Sequence, residues 1–208
     1  VYYYLFSPGS AASRAIRKHY NLMQHEYCAT GIGVGHGDHI IDPKYIWTKN
    51  TKSLYVVSHP IETLISHYLR SIITQGDGAI MMGGYSAQNM KFIIQNNINV
   101  YTHEDRLKNI NAFFDVYIEN GIDFFMLKDN IKNWSNSKNI YACKYEEFKN
   151  NEKEISQWLD KPKNYPEFEW KKRNSKRKYL SHSVFKRLER MYSEAIEFYE
   201  DIDNARML

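Results

Sequence analysis

Apolar and polar positions change period several times along the chain, and each change marks an element. Val1 to Phe6 is an apolar, β-favouring run closed by the turn-forming Ser7-Pro8-Gly9-Ser10. Behind it Ala12, Ala15, Ile16, His19, Tyr20 and Met23 recur at helical spacing, so the chain opens as strand, small-residue loop, helix. Tyr27 to Val34 is a second apolar stretch. It ends in Gly33-Val34-Gly35-His36-Gly37, where the backbone must turn tightly or approach another group closely. A short strand over Ser53 to Val57 stops at His59-Pro60, and a helix follows with Ile61, Leu64, Ile65, Tyr68, Leu69 and Ile72 on one face. Thr74 to Tyr85 is rich in Gly and Met and reads as an irregular loop. Leu107, Ile110, Phe113, Phe114, Tyr117 and Ile118 predict another amphipathic helix, entered through His103-Glu104-Asp105, whose negative charge suits a helix N-terminus. Asn139 to Lys144 is a further strand. Ile155, Trp158 and Leu159 mark a short helix, and Val184, Leu188, Met191, Tyr192, Ala195 and Tyr199 a closing one.

Strands alternating with helices predict an α/β fold, a three-layer α/β/α arrangement around a mostly parallel sheet covered on both faces. No repeat or boundary interrupts it, so residues 1–208 read as one domain with 74–100 as a lid or insertion within it.

Composition narrows the class. The chain of 208 residues is long enough to bury a core, and 43% hydrophobic with 25% charged residues is ordinary for a globular domain. A net charge of +4 suits a protein that handles polyanionic small molecules and does not call for nucleic acid. The densest positive run, Lys171 to Lys178, reads either as a solvated basic loop or as an anion site. Cys28 and Cys143 lie in apolar stretches and are expected as buried free thiols. No Cys/His spacing of metal-site type occurs, and no apolar run is long enough to span a bilayer. With no signal-peptide pattern the expected location is cytoplasmic, unless a leader or anchor precedes Val1.

Two segments are placed for chemistry. Pro8-Gly9-Ser10-Ala11-Ala12-Ser13 joins a strand to a helix with small residues, which lets backbone N–H groups and the helix N-terminus face an anion. It lacks the Gly-Lys-Ser/Thr of nucleotide triphosphatase loops, against an ordinary ATPase or kinase. Ser58 to Tyr68 follows the next strand, and ligands of open α/β sheets bind at such strand ends.

In that setting four segments together resemble the sulfotransferase family, closest to its carbohydrate-type members. Phe6 to Ser13 resembles the 5′-phosphosulfate loop. Tyr55 to Pro60, continuing through Ser66-His67-Tyr68, resembles the 3′-phosphate motif. Ile140 to Phe148 resembles the strand that ends in Tyr-Glu-Asp-Leu, and Asn174 to Ser181 with the helix to Tyr199 resembles the C-terminal segment. The resemblance implies a P-loop-like fold and transfer of a sulfuryl group from 3′-phosphoadenylyl sulfate (PAPS) to an acceptor hydroxyl on a carbohydrate. Adenosine 3′,5′-bisphosphate would be the product, and no metal is required. It implies that Gly9, Ser10, Ala11, Ala12, Ser13 and Arg14 hold the phosphosulfate, with Ser58 and Ser66 on the 3′-phosphate. Tyr145 would lie near adenine, and Lys176 and Arg177 would close over the 3′-phosphate. His36 stands where many members carry the base that takes the acceptor proton, with Asp38 and His39 as rivals; Glu104 or Asp105 could serve only if an acceptor lobe folds over the sheet end. His59 and His67 read as structural, and residues 74–100 as part of an acceptor-side lid.

The chain departs from the family pattern at two cations. Gly9 replaces the loop Lys or Arg, and Ser58 replaces the Arg of the 3′-phosphate motif. Each lost charge-assisted contact is worth roughly 1.5–3 kcal/mol. Arg14, Arg17, Lys18 and Arg70 are the nearby cations that could compensate. The alternative reading is a degenerate member that binds a nucleotide or an anionic glycan without catalysis.

Overall fold

The protein is described by a computed structural model covering residues 1–8, 12–23, 50–70, 72–73, 80–82, 85–86, 96, 98–121, 123, 127–135, 140–202 and 206–207. Its elements in chain order are β1 (Tyr2–Phe6), α1 (Ser13–Tyr20), β2 (Thr51–Val57), α2 (Pro60–Leu69), β3 (Ile72–Ile73), β4 (Ile80–Met82), β5 (Tyr85–Ser86), α3 (His103–Lys108), α4 (Ile110–Asn120), α5 (Leu127–Ser135), β6 (Ile140–Lys144), α6 (Glu152–Trp158), α7 (His182–Met191), α8 (Ser193–Asp201) and β7 (Arg206–Met207).

The predicted α/β class is the observed one. The main sheet has the order β1-β2-β6-β7. Its first three strands are parallel, with Tyr55 beside Phe6 on one side and Ala142 on the other, and β7 runs antiparallel at the edge. Alternate side chains of a strand leave on opposite faces, and here both faces are buried. Phe6, Tyr55, Val57, Ile140 and Ala142 pack into a cluster with residues of α2, α4, α5, α7 and α8. Leu5, Leu54, Val56, Tyr141 and Cys143 pack into another with Ile16 and Tyr20 of α1 and Ile155 of α6. Burying each large apolar side chain contributes about 1.5–3 kcal/mol, so the central strand β2, apolar on both faces, holds the sheet ends in place.

The boundaries differ from the sequence-based expectation in five places. The helix expected over Leu107 to Ile118 is two, meeting at Asn109. The first starts at a capping box in which Thr102 Oγ1 accepts the Asp105 N–H (3.0 Å) while the Asp105 carboxylate accepts the Thr102 N–H (3.0 Å). The closing helix also divides, at Tyr192, whose buried ring anchors the turn through 2.6 Å hydrogen bonds of its hydroxyl to Tyr117 and Asp123. Ile72 is not on α2, which ends at Leu69; it belongs to a small antiparallel sheet, β3-β4-β5, that also occupies part of the stretch expected to be irregular. Helix α5 was not anticipated. Its apolar signal is only Leu127, Ile131 and Trp134, yet all three are buried, and Trp134 stacks on Phe6 (centroids 4.4 Å apart) and Tyr55 (5.3 Å). The short edge strand β7 is the fifth difference. Cys143 is a buried free thiol, as expected; Cys28 lies outside the described residues.

Candidate functional site

The site begins where β2 leaves the sheet. Ser58 is buried there, and His59 caps α2 by accepting the Ile61 N–H on Nδ1 at 3.2 Å, with Pro60 pre-set for the first helical turn. Every residue of α2 is buried except Glu62. Glu62 and Ser66 are four apart, so their side chains share one face. One strand over, β6 ends at Lys144 and the chain turns through Tyr145. These strand ends lie side by side because β2 and β6 are parallel neighbours.

The C-terminal basic segment is drawn across both ends. Trp170 Nε1 donates to the Tyr145 carbonyl (3.0 Å), the Tyr145 hydroxyl donates to the Lys171 carbonyl (2.9 Å), and the Arg173 guanidinium stands 4.3 Å over the Tyr145 ring. Glu62 then gathers the next residues. Its carboxylate accepts the Ser175 hydroxyl (2.5 Å) and the Lys176 N–H (2.9 Å) and pairs with Arg177 Nε at 3.4 Å. The Lys176 ammonium donates to Ser66 Oγ across 110 positions of sequence. A cavity of about 380 Å³ results, and Ser58, Ser66, Tyr145, Lys176 and Arg177 all line it, together with Glu62, Glu146, Trp170, Arg173 and Tyr199.

Its electrostatics are those of crowded cations. Burial, then the charges of Arg70 and Arg173, hold the Lys176 ammonium below the usual lysine value despite Glu62. Partial desolvation, then Arg173 and Arg14, lower Arg70 in the same direction. An anion among these groups would relieve the repulsion. Burial raises Glu146, whose carboxylate accepts the Tyr199 hydroxyl at 3.0 Å. Burial and Arg177 push His59 down to about 4, so its ring is neutral at pH 7. With Nδ1 accepting from Ile61, the His59 proton sits on Nε2, the arrangement of a cap and not of a base.

The other expected residues fall into two groups. Ala12, Ser13 and Arg14 open α1. Ala12 is held at φ 53°, ψ 26°, an unusual conformation for a residue with a side chain, and its carbonyl accepts the Ala15 and Ile16 N–H groups. Buried His67 ties this loop to α2 by donating from Nε2 to the Pro8 carbonyl at 2.8 Å, in keeping with a structural role. Gly9, Ser10, Ala11 and His36, and the rival bases Asp38 and His39, lie outside the described residues. Asp105 is engaged in its capping box, and neither it nor Glu104 lines the cavity.

Sequence reasoning missed Glu62, Trp170, Arg173, Glu146 and Tyr199. Glu62 had a signal, as the single carboxylate in a helix that is otherwise apolar or neutral. Arg173 was visible only as one cation in a run. Compared with known proteins, the chain matches no family model, and no curated protein or solved structure matches it significantly. Among the described residues no group of His, Cys, Asp or Glu could hold a metal ion, and no helix is long and apolar enough to cross a membrane.

Proposed function

We propose that this protein is a sulfotransferase of P-loop-like, three-layer α/β/α fold, moving a sulfuryl group from 3′-phosphoadenylyl sulfate to a carbohydrate hydroxyl. The observation that carries the reading is the Lys176–Ser66 contact. Two segments singled out separately by their resemblance to donor-binding motifs meet there in one cavity, at the C-terminal ends of parallel strands. The groups present fit a nucleotide bearing two anionic centres. Lys176 and Arg173 supply the charge that Ser58 does not, and Tyr145 with Trp170 offers aromatic surface for a base. Arg14, whose charge reaches Arg70, stands at the start of α1 and serves the phosphosulfate end in place of a lysine at Gly9.

In transfer, the acceptor oxygen forms a bond to sulfur as the bond between sulfur and the 5′-phosphate oxygen breaks, and the acceptor proton passes to a base. The chain's part is to hold the two partners in line and to stabilise the leaving oxygen. Lys176, held by Ser66 and by Glu62 through its backbone N–H, positions the nucleotide. His36 is the proposed base.

The competing reading is nucleotide binding without transfer. Ser58 favours it, because a buried neutral hydroxyl stands at the place of the motif cation. Thermal unfolding with adenosine 3′,5′-bisphosphate or with ATP decides the first half: the bisphosphate should stabilise more, and no shift with either overturns both readings. Sulfuryl transfer to a glycan, abolished in His36→Ala with bisphosphate stabilisation retained, separates the two. Binding without transfer in the unaltered chain favours the second.

A further inference from the structure

Lys176 has a cavity on each side. The second, about 370 Å³, shares Ser66, Asn174, Ser175 and Lys176 with the first, then runs past the end of α2 toward α3. Its other walls are Arg70, Lys178, His103 and Tyr179 over an apolar floor of Leu69 and Leu107. The Lys178 ammonium lies 5.2 Å over the Tyr179 ring, which keeps that cation at the cavity wall. The two cavities differ in charge. Glu62 and Glu146 face into the first, whereas the described residues lining the second include no carboxylate. They also differ in shape of contact. Tyr145 and Trp170 give the first a flat aromatic side, while the second offers cations, an amide and hydroxyls around two leucines. The latter combination recognises a small polyhydroxylated ligand carrying an anionic group: donors for the anion, mixed partners for hydroxyls, and apolar surface for ring C–H groups.

We infer that this second cavity is a separate anion site, taking the sulfate or phosphate monoester of a monosaccharide-sized ligand against Arg70, Lys176 and Lys178. The site stands on its own walls and not on the transferase reading. Because Lys176 belongs to both walls, an occupant of either cavity alters the other's affinity.

Calorimetric titration of the full chain tests this with three probes: glucose 6-sulfate, glucose, and adenosine 3′,5′-bisphosphate. Glucose 6-sulfate should bind, with or without saturating bisphosphate, and glucose should bind at least about fivefold more weakly. Lys178→Ala removes an exposed cation from the second cavity alone. It should weaken glucose 6-sulfate about fivefold and leave the bisphosphate within about twofold. Arg173→Ala removes a cation that lines only the first cavity; it should weaken the bisphosphate about fivefold and change glucose 6-sulfate less, through its charge on Arg70 and Lys176. The inference is overturned if glucose 6-sulfate does not bind, if glucose binds equally well, if bisphosphate saturation abolishes the sulfate's binding, or if Lys178→Ala leaves it unchanged. Loss of bisphosphate binding alone, with the Lys178→Ala effect intact, counts against the transferase reading and supports the second site.

Discussion

Two lysine-bearing stretches of this chain each wall a cavity and behave differently in the fold. Lys171 to Lys178 holds six cations in eight positions, and residues 149–163 hold Lys149, Lys153, Lys161 and Lys163. Around the second lies a cavity larger than either at the candidate site, about 610 Å³, walled by those lysines with Glu152 and Glu167. Lys149, Lys153 and Lys163 are exposed, and Lys161 lies over the rings of Tyr3 and Tyr165, at 5.8 and 5.4 Å. In the first stretch Lys176 and Arg177 are half-buried, and a carboxylate and a hydroxyl from a distant helix hold them in place. Lysines around a cavity therefore do not by themselves make a site. What distinguishes the first stretch is that Glu62 and Ser66, on one face of a buried helix, fix cations that would otherwise be solvated and mobile.

The largest expected effect tests how firmly the first stretch is built into the fold. Burial, and after it Arg177, depress His59 from 6.5 to about 4. Between those values the unfolded chain binds the proton that the folded chain excludes, so stability rises with pH across that window. It is fully present above about 6.5 and is lost on acidification toward 4, by on the order of 3 kcal/mol. Denaturant titrations at several pH values should show this slope. His59→Asn, which keeps a capping side chain, should flatten it, and an unchanged slope in that variant breaks the link. Next, Lys176→Ala should weaken adenosine 3′,5′-bisphosphate about 30-fold by calorimetry, while Lys163→Ala in the other stretch stays within about twofold. Equal losses would mean that both stretches act as diffuse charge. The smallest effect sharpens the role of the latch. Glu62→Gln keeps the shape but removes the charge that faces Arg177, and should cost about fivefold in bisphosphate affinity. Amide exchange should quicken at Lys176, whose N–H now bonds to Glu62, with little change in the melting temperature.

Much of the scaffold was legible. Strand β2 announces itself because its side chains are apolar on both faces, as a central parallel strand requires. The turn at His59-Pro60 and the start of α2 follow from local chemistry that needs no distant partner. Helix α5 was illegible because three apolar residues among polar ones look like a loop until Trp134 meets Tyr55 and Phe6. The breaks at Asn109 and Tyr192 escaped because helical periodicity runs across both, and at Tyr192 the partners are 69 and 75 positions away. Of the site, Ser58, Ser66, Tyr145, Lys176 and Arg177 could be named in advance one by one, but not the groups that hold them.

The residues alone determined the alternation of strand and helix, the buried strands and the cations available for an anion. These depend on local propensity and period, which neighbouring positions encode. Only the tertiary structure decided which cations matter. The Lys176–Ser66 contact, the Glu62 latch and the two cavities on either side of Lys176 join segments more than a hundred positions apart. They exist because parallel pairing of β2 with β6 brings two strand ends, and the loop laid over them, to one edge. Pairing between distant strands is a property of the packed core, which no local window of sequence contains.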